Sequence, residues 1–450
     1  MVNFLKKNKF SIASFFVPLL VVVAYYASRQ MSPFGHSSIL TVDLGQQYID
    51  MFSGFKHSLL QNPNSIFYSF TKNFGGEMFS EWAYYLLSPL NVVFLFFNQE
   101  NLPIAIFLLV ILRAGISGLM VDLFLRKTKL VINDWLIFAA SITYALSGWF
   151  TANQVNLLWQ DDVIFYPLLL LLLYKFVENQ KKFLPFILFF SFILIDNFYI
   201  GYMIGLSLPL WALWFASFVK KMSVKRIAIV LISMVGSILI SAVVLIPTAY
   251  QLLLGKGQDT VKNIDWHLIE NPLYTFFKLI PGSFNFDEMQ HGFANWFVPI
   301  IILFGVIAFF FNETFSKRTK IISLLFLVFY GASFVWNPMI LLQHMLQMPV
   351  WYPYRFSFIP ILFLIVLGFI GLQSIRSKMQ WFGLGLSATL FAILVIFAKN
   401  SLKQATFINQ NDLEVFFIFG LASLALFFVR KKYRYFLVAA ISLISVSLNF

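Results

Sequence analysis

A chain of 450 residues that is 60% hydrophobic and 11% charged does not read as a water-soluble enzyme, since soluble domains carry about 25% charged residues. The absence of cysteine excludes disulfides, thiolate metal centres and cysteine nucleophiles. A net charge of +13 would suit nucleic acid, but the lysines and arginines sit in short connectors between apolar blocks. They orient the protein in a membrane and meet anionic lipid, and no nucleic-acid partner is expected.

A spanning helix takes about 20 mostly apolar residues. In chain order, such windows fall near 10–27, 103–122, 134–150, 162–177, 183–199, 201–219, 227–247, 296–311, 321–336, 353–372, 380–398, 412–429 and 434–450. The fold class is an all-α polytopic membrane protein of about thirteen spans, in a single transmembrane domain over 1–450. The first window follows Lys6, Lys7 and Lys9 and ends at Ser28-Arg29 with no small-x-small cleavage pattern, so it reads as an uncleaved first helix. The stretch from Tyr84 to Phe97 holds Ser88-Pro89 between polar flanks and reads as a re-entrant or interfacial helix.

The connectors alternate in charge. One set carries Arg126, Lys127, Lys129, Lys181, Lys182, Lys220, Lys221, Lys225, Arg226, Lys317, Arg318, Lys320, Arg376, Lys378 and Arg430 to Lys432. The other set is net acidic. The positive-inside rule puts the N-terminus in the cytoplasm and, after an odd number of crossings, the C-terminus outside. The outer face then carries two long loops, 29–102 and 248–295, and three shorter elements at 153–162, 196–197 and 337–355. Long ordered loops tend to carry function.

Asp43 stands on that face in Thr41-Val42-Asp43-Leu44-Gly45. A carboxylate at a membrane surface among aromatics suits general-base work; its bland reading is a cap on the amphipathic stretch Leu44 to Leu60. Asp161 and Asp162 follow Trp159-Gln160, where two adjacent carboxylates suit a divalent cation or an acid/base pair, or simply a helix N-terminus. Their adjacency lets only one face a given cavity. Asp196-Asn197 reads as a polar site or as the turn of a helical hairpin. Arg355, in Trp351-Tyr352-Pro353-Tyr354-Arg355, suits forked recognition of a phosphate or interfacial anchoring. Arg113 falls within a span, where a charge marks a functional site or a buried partner.

His36, His57, His267, His291 and His344 all fall outside, with no HExxH-type spacing, so no zinc site is expected. There is no phosphate-binding glycine loop, dinucleotide fingerprint or nucleophile elbow.

Seven segments together resemble the YfhO family of bacterial membrane proteins over essentially the whole chain. They are Asp43 to Tyr48; Tyr84 to Asn91; Ser141 to Trp149; Asn156 to Pro167; Asp196 to Met203; Pro281 to Phe284; and Tyr354 to Phe358. The resemblance implies a GT-C-type glycosyltransferase architecture. Such an enzyme moves a sugar from a polyprenyl-phosphate carrier to a cell-surface polymer, here a teichoic or lipoteichoic acid, on the outer side of the plasma membrane. A separate cytoplasmic-side transferase would make the lipid-linked sugar. GT-C enzymes carry an essential aspartate in the first outer loop, the place Asp43 holds. The family's usual extracytoplasmic C-terminal region is not in this sequence.

On that reading Asp43 is the base. Arg355, helped by Lys278, holds the carrier phosphate. Asp161, Asp162, Asp196, Tyr48 and Trp159 line the sugar site, with a divalent cation as an open expectation. The rival readings are a flippase or exporter of lipid-linked sugar, which Arg113 would suit, and a non-catalytic scaffold for another transferase.

Overall fold

A computed structural model of the protein describes residues 2–72, 74–218, 224–255, 264–373 and 378–450. The basic positions Lys220, Lys221 and Arg376 lie outside the described residues. The chain is an all-α bundle, and its only sheet among the described residues is a hairpin in the long loop after the first helix that pairs Tyr68 with Glu77 and Ser69 with Gly76.

The helices are α1 Val2–Ser28, α2 Ile49–Leu60, α3 Phe79–Tyr85, α4 Leu102–Thr128, α5 Asp134–Ala145, α6 Gly148–Ala152, α7 Leu157–Glu178, α8 Phe183–Asp196 and α9 Phe198–Phe218. They continue with α10 Val224–Leu254, α11 Glu288–His291, α12 Ile300–Phe310, α13 Lys317–Val335, α14 Asn337–Gln343, α15 Phe358–Gln373, α16 Lys378–Ser401, α17 Gln410–Ala425 and α18 Lys431–Asn449. Local chemistry sets several ends. Asn133 accepts from the Trp135 and Leu136 amides to open α5, and Asn409 and Asp412 form a reciprocal capping box on α17. Lys129 closes α4 in the left-handed conformation.

Ten helices among the described residues are long and apolar enough to cross a membrane, and they occupy ten of the thirteen expected windows. The other three windows need correcting. Window 183–199 holds α8, of 14 residues, and window 296–311 holds α12, of 11. At 1.5 Å per residue these reach roughly 21 and 16 Å, short of a ~30 Å hydrocarbon core. Residues 292–299 run without helix up to Pro299, which shortens α12. Window 434–450 holds α18, long enough at 19 residues but opened by Lys431, Lys432 and Arg434. The stretch 84–97 forms no long helix: α3 gives way to a 3₁₀ turn at Pro89–Phe96.

Between α12 and α15 the backbones nearly touch. A Cβ on Gly368 would stand 2.7 Å from the Ile302 carbonyl oxygen, and one on Gly305 or Gly371 would strike backbone oxygen across the interface. Small residues give such helices dispersion contact that lipid cannot match. The centre is aromatic: Trp211 and Trp214 meet Phe363, whose ring stacks on Phe326 with centroids 3.8 Å apart. Elsewhere α10 turns Ile232, Leu239, Val243 and Ile246 outward, as a lipid-facing surface would. The Phe450 ring packs edge-on against Tyr25 with centroids 5.1 Å apart, so α18 ends at the same face of the bundle as α1.

Candidate functional site

The loops that precede α2, α7, α9 and α15 meet at that face. Asp43 enters a π-helical turn, Leu44–Tyr48, and makes no side-chain cap hydrogen bond, which removes the capping explanation for it. The residue before it, Val42, holds a φ of 51°. A β-branched side chain rarely adopts that region, at a cost of about 1–3 kcal/mol. Tyr352 and Tyr354, beside Arg355, are left-handed too, with φ of 51° and 63°. Backbone strain therefore collects on both sides of one site.

The Tyr48 hydroxyl lies 3.3 Å from Asp43 Oδ2 and 3.3 Å from Asn156 Oδ1, and its single hydrogen serves one at a time. Burial, then Asp43, pushes the Tyr48 phenol well up, and burial lifts Tyr352 to about 12. Both are therefore neutral hydrogen-bond donors near pH 7. The Tyr352 hydroxyl donates to Met289 Sδ at 3.4 Å and feels Asp43 and Arg355 at once, while Arg355 feels Tyr48 in turn. Two tyrosines thus stand between a carboxylate and a guanidinium.

Arg355 sits in an aromatic cage. Its guanidinium carbon lies 4.3 Å from the Trp159 ring centre and 5.3 Å from that of Tyr199. Nε donates to the Tyr352 carbonyl at 3.3 Å and Nη2 to the Trp351 carbonyl at 2.9 Å. Trp149 Nε1 donates to the Arg355 carbonyl at 2.6 Å. Among the described residues no carboxylate forms an ion pair with Arg355. Trp159 Nε1 donates to the Tyr84 hydroxyl at 3.2 Å, and its ring meets Tyr352 edge-on. His344, behind Tyr199, is fully buried and held neutral by burial and by Arg355. Its Nδ1 shares a 2.6 Å hydrogen bond with the Tyr199 hydroxyl.

Beneath this layer lie the other acids. Asp161 and Arg113 are each 1% exposed and pair at 2.6 Å through Nε, and the Ser88 hydroxyl donates to the second Asp161 oxygen. The intramembrane arginine thus has a buried carboxylate partner. Asp162 lies against Asp196, the two carboxyl groups within hydrogen-bonding reach of each other, and no other donor reaches either oxygen of Asp162 or Oδ1 of Asp196. Asn197 ties the hairpin instead, donating to the carbonyls of Tyr84 and Leu158. Among the described residues no three acidic or histidine side chains converge to hold a metal ion, and Asp161 has both oxygens engaged.

Lys278 is set apart. It is buried, bonded at 2.6 Å to Glu288 and at 2.6 Å to the Ser283 carbonyl, and burial lowers its pKa to about 8. It braces the second long loop, whose Met289 carbonyl accepts from the Tyr352 amide at 2.6 Å.

Asn156, Tyr352 and the pairing of Tyr199 with His344 did not emerge from the sequence as site residues. The segments Asn156 to Pro167 and Trp351 to Phe358 held the signal, a density of amide and aromatic side chains at loop–helix junctions.

The model of the family described as "Bacterial membrane protein YfhO" matches residues 14–450. The chain belongs to the YfhO family. No curated protein and no solved structure matches this YfhO member. As a YfhO chain it is a bacterial membrane protein with several candidate spanning helices.

Proposed function

We propose that this protein is a glycosyltransferase that takes a sugar from a polyprenyl-phosphate carrier and delivers it to a cell-surface polymer, a teichoic or lipoteichoic acid, outside the plasma membrane. The observation that carries the reading is the run of side chains in contact from Asp43 through Tyr48, Tyr85, Tyr84 and Trp159 to Arg355, which sets a carboxylate and a guanidinium on one aromatic site. A cation that has no carboxylate partner among the described residues and sits in an aromatic cage at the start of a candidate span suits a lipid phosphate. A carboxylate a few side chains away suits an incoming hydroxyl.

In the reaction, the acceptor oxygen bonds to the anomeric carbon and its proton passes to Asp43. The bond from that carbon to the carrier phosphate oxygen breaks, and the phosphate leaves with the electron pair. Arg355 offsets the charge that grows there, so no strong general acid is needed. Tyr48 orients the Asp43 carboxylate, and Trp159 offers a flat face to the sugar. Asp162 and Asp196 supply sugar hydroxyls with oxygens that no other donor reaches, while Asp161 positions α7 through Arg113. Lys278 acts through the loop that carries Met289. The pairing of Arg113 with Asp161 offers a structural reason for the intramembrane charge that the flippase reading drew on.

The test is reconstitution in proteoliposomes with labelled polyprenyl-phosphate sugar and a teichoic-acid-like acceptor. The reading expects label on the acceptor with wild type and none above background with Asp43→Ala. Label that crosses the bilayer yet stays on its carrier would make the protein a flippase.

A further inference from the structure

We propose that the hairpin pairing Tyr68 and Ser69 with Gly76 and Glu77 is a membrane anchor, and that Phe67, Phe70 and Phe74 insert into the headgroup layer of the bilayer. This goes beyond the transfer reading and does not depend on it.

The hairpin is inside out for a loop in water. Its polar groups are tied to one another. Lys72 Nζ donates to the Glu77 carbonyl at 2.6 Å and pairs with Glu81 at 2.8 Å. The Glu77 carboxylate accepts from the Ser80 amide at 2.7 Å and from the Ser80 hydroxyl at 2.6 Å. The Ser69 and Thr71 hydroxyls share a hydrogen bond of 2.8 Å, and the Met78 amide donates to the Phe67 carbonyl at 2.9 Å. The outward side chains are aromatic instead: Phe67 and Tyr68 are exposed, Phe70 is 81% exposed and Phe74 wholly so. A loop in water turns its aromatics in and its lysine out. Bonded backbone, paired charges and outward rings suit the bilayer interface, where unpaired polar groups are costly.

The local backbone fixes this display. Gly75 holds a φ of 107°, and a Cβ there would stand 2.5 Å from the Tyr68 hydroxyl. Glycine lets the turn close at that point, with Phe70 edge-on to Tyr68.

Position decides the occupant. The next helix, α3, packs on α10. The side chains that α10 turns outward are apolar from Leu231 to Leu254, with Tyr250 and Leu253 near its end. That stretch reaches roughly 35 Å at 1.5 Å per residue, more than a ~30 Å hydrocarbon core, so its last turns stand at the interface. The exposed phenylalanines continue this lipid-facing surface. A protein partner would meet a polar rim free to pair with it, whereas the charges beside these rings are already paired. At its other end α3 carries Tyr84 and Tyr85, which meet Tyr199 and Tyr48. The anchor thereby sets the depth of the Asp43 and Arg355 site at the bilayer surface.

The experiment uses the absence of cysteine. Phe70→Cys and Phe74→Cys each carry a nitroxide spin label in the full chain in phosphatidylcholine nanodiscs. Asn64→Cys, exposed in the same loop, is the water control, and Ile246→Cys, on the outward face of α10, is the lipid control. Collision with oxygen reads lipid, and collision with a water-soluble nickel chelate reads water. Labels at 70 and 74 should favour oxygen as Ile246 does, while Asn64 favours nickel. Nickel access at 70 and 74 equal to that at Asn64 puts the hairpin in water and overturns the anchor. Low access to both reagents means that a protein surface covers it, a second copy or another chain, and overturns the anchor as well. Thermal unfolding identifies a variant that fails to fold, and the other position then decides.

Discussion

At the scale of single residues, burial separates charges that work on a ligand from charges that hold the fold. Arg113 and Asp161 pair away from water through Nε alone, and both terminal nitrogens of Arg113 are buried without a partner, so removing either side leaves a bare charge. Arg113→Met should cost roughly 3–5 kcal/mol, and the double substitution Arg113→Met with Asp161→Leu distinctly less; thermal unfolding in detergent measures both. Lys278 behaves differently. Its pKa falls from 10.5 to about 8 in the fold, so between those values the unfolded chain binds more protons than the folded one. Stability therefore rises with pH across that window, by up to ~3 kcal/mol from this group. Melts at pH 7.5 and 9.5 should show a gain in the wild type that Lys278→Met lacks. Asp43, by contrast, has a tyrosine as its bonded partner. Tyr48→Phe should leave folding nearly unchanged and lower transfer about tenfold, the worth of one hydrogen bond to a charged group.

At the scale of elements, strain and close approach mark where sequence gave way to tertiary structure. Val42 holds a left-handed backbone that glycine adopts freely. Val42→Gly should hold or raise the melting temperature, since ~1–3 kcal/mol of strain outweighs ~1 kcal/mol of chain entropy, while transfer falls as the Asp43 turn loosens. Gly305→Leu should separate α12 from α15 and abolish folded protein, read by size exclusion. Apolar length located ten spans and pointed to helices in the other three windows, because hydrophobic blocks dictate helices in lipid. It did not show that Pro299 cuts α12 short or that α18 begins among charges. Asp43 and Arg355 were legible because charges among aromatics are few. Asn156 and Tyr352 were not, since their roles come from contacts across more than a hundred residues of chain.

At the scale of the whole molecule, the acidic and aromatic loops gather at one end and the described lysines and arginines of the basic connectors at the other. Orientation in the cell is an expectation from charge alone, and the cysteine-free chain makes it directly measurable. Asn64→Cys and Glu313→Cys lie on opposite ends, both exposed. A membrane-impermeant maleimide should label the first on intact cells and the second only after permeabilisation; the reverse pattern would turn the protein over and place Asp43 in the cytoplasm.

The central claim, that Asp43 and Arg355 act on one substrate from opposite sides, meets its most direct test in steady-state transfer by Asp43→Asn and Arg355→Lys measured side by side. The account predicts that Asp43→Asn lowers kcat by about 10²–10⁴ with the donor KM unchanged. Arg355→Lys should chiefly raise the donor KM, because a point charge replaces a planar fork. Wild-type kcat in Asp43→Asn, at equal folded protein, would contradict it.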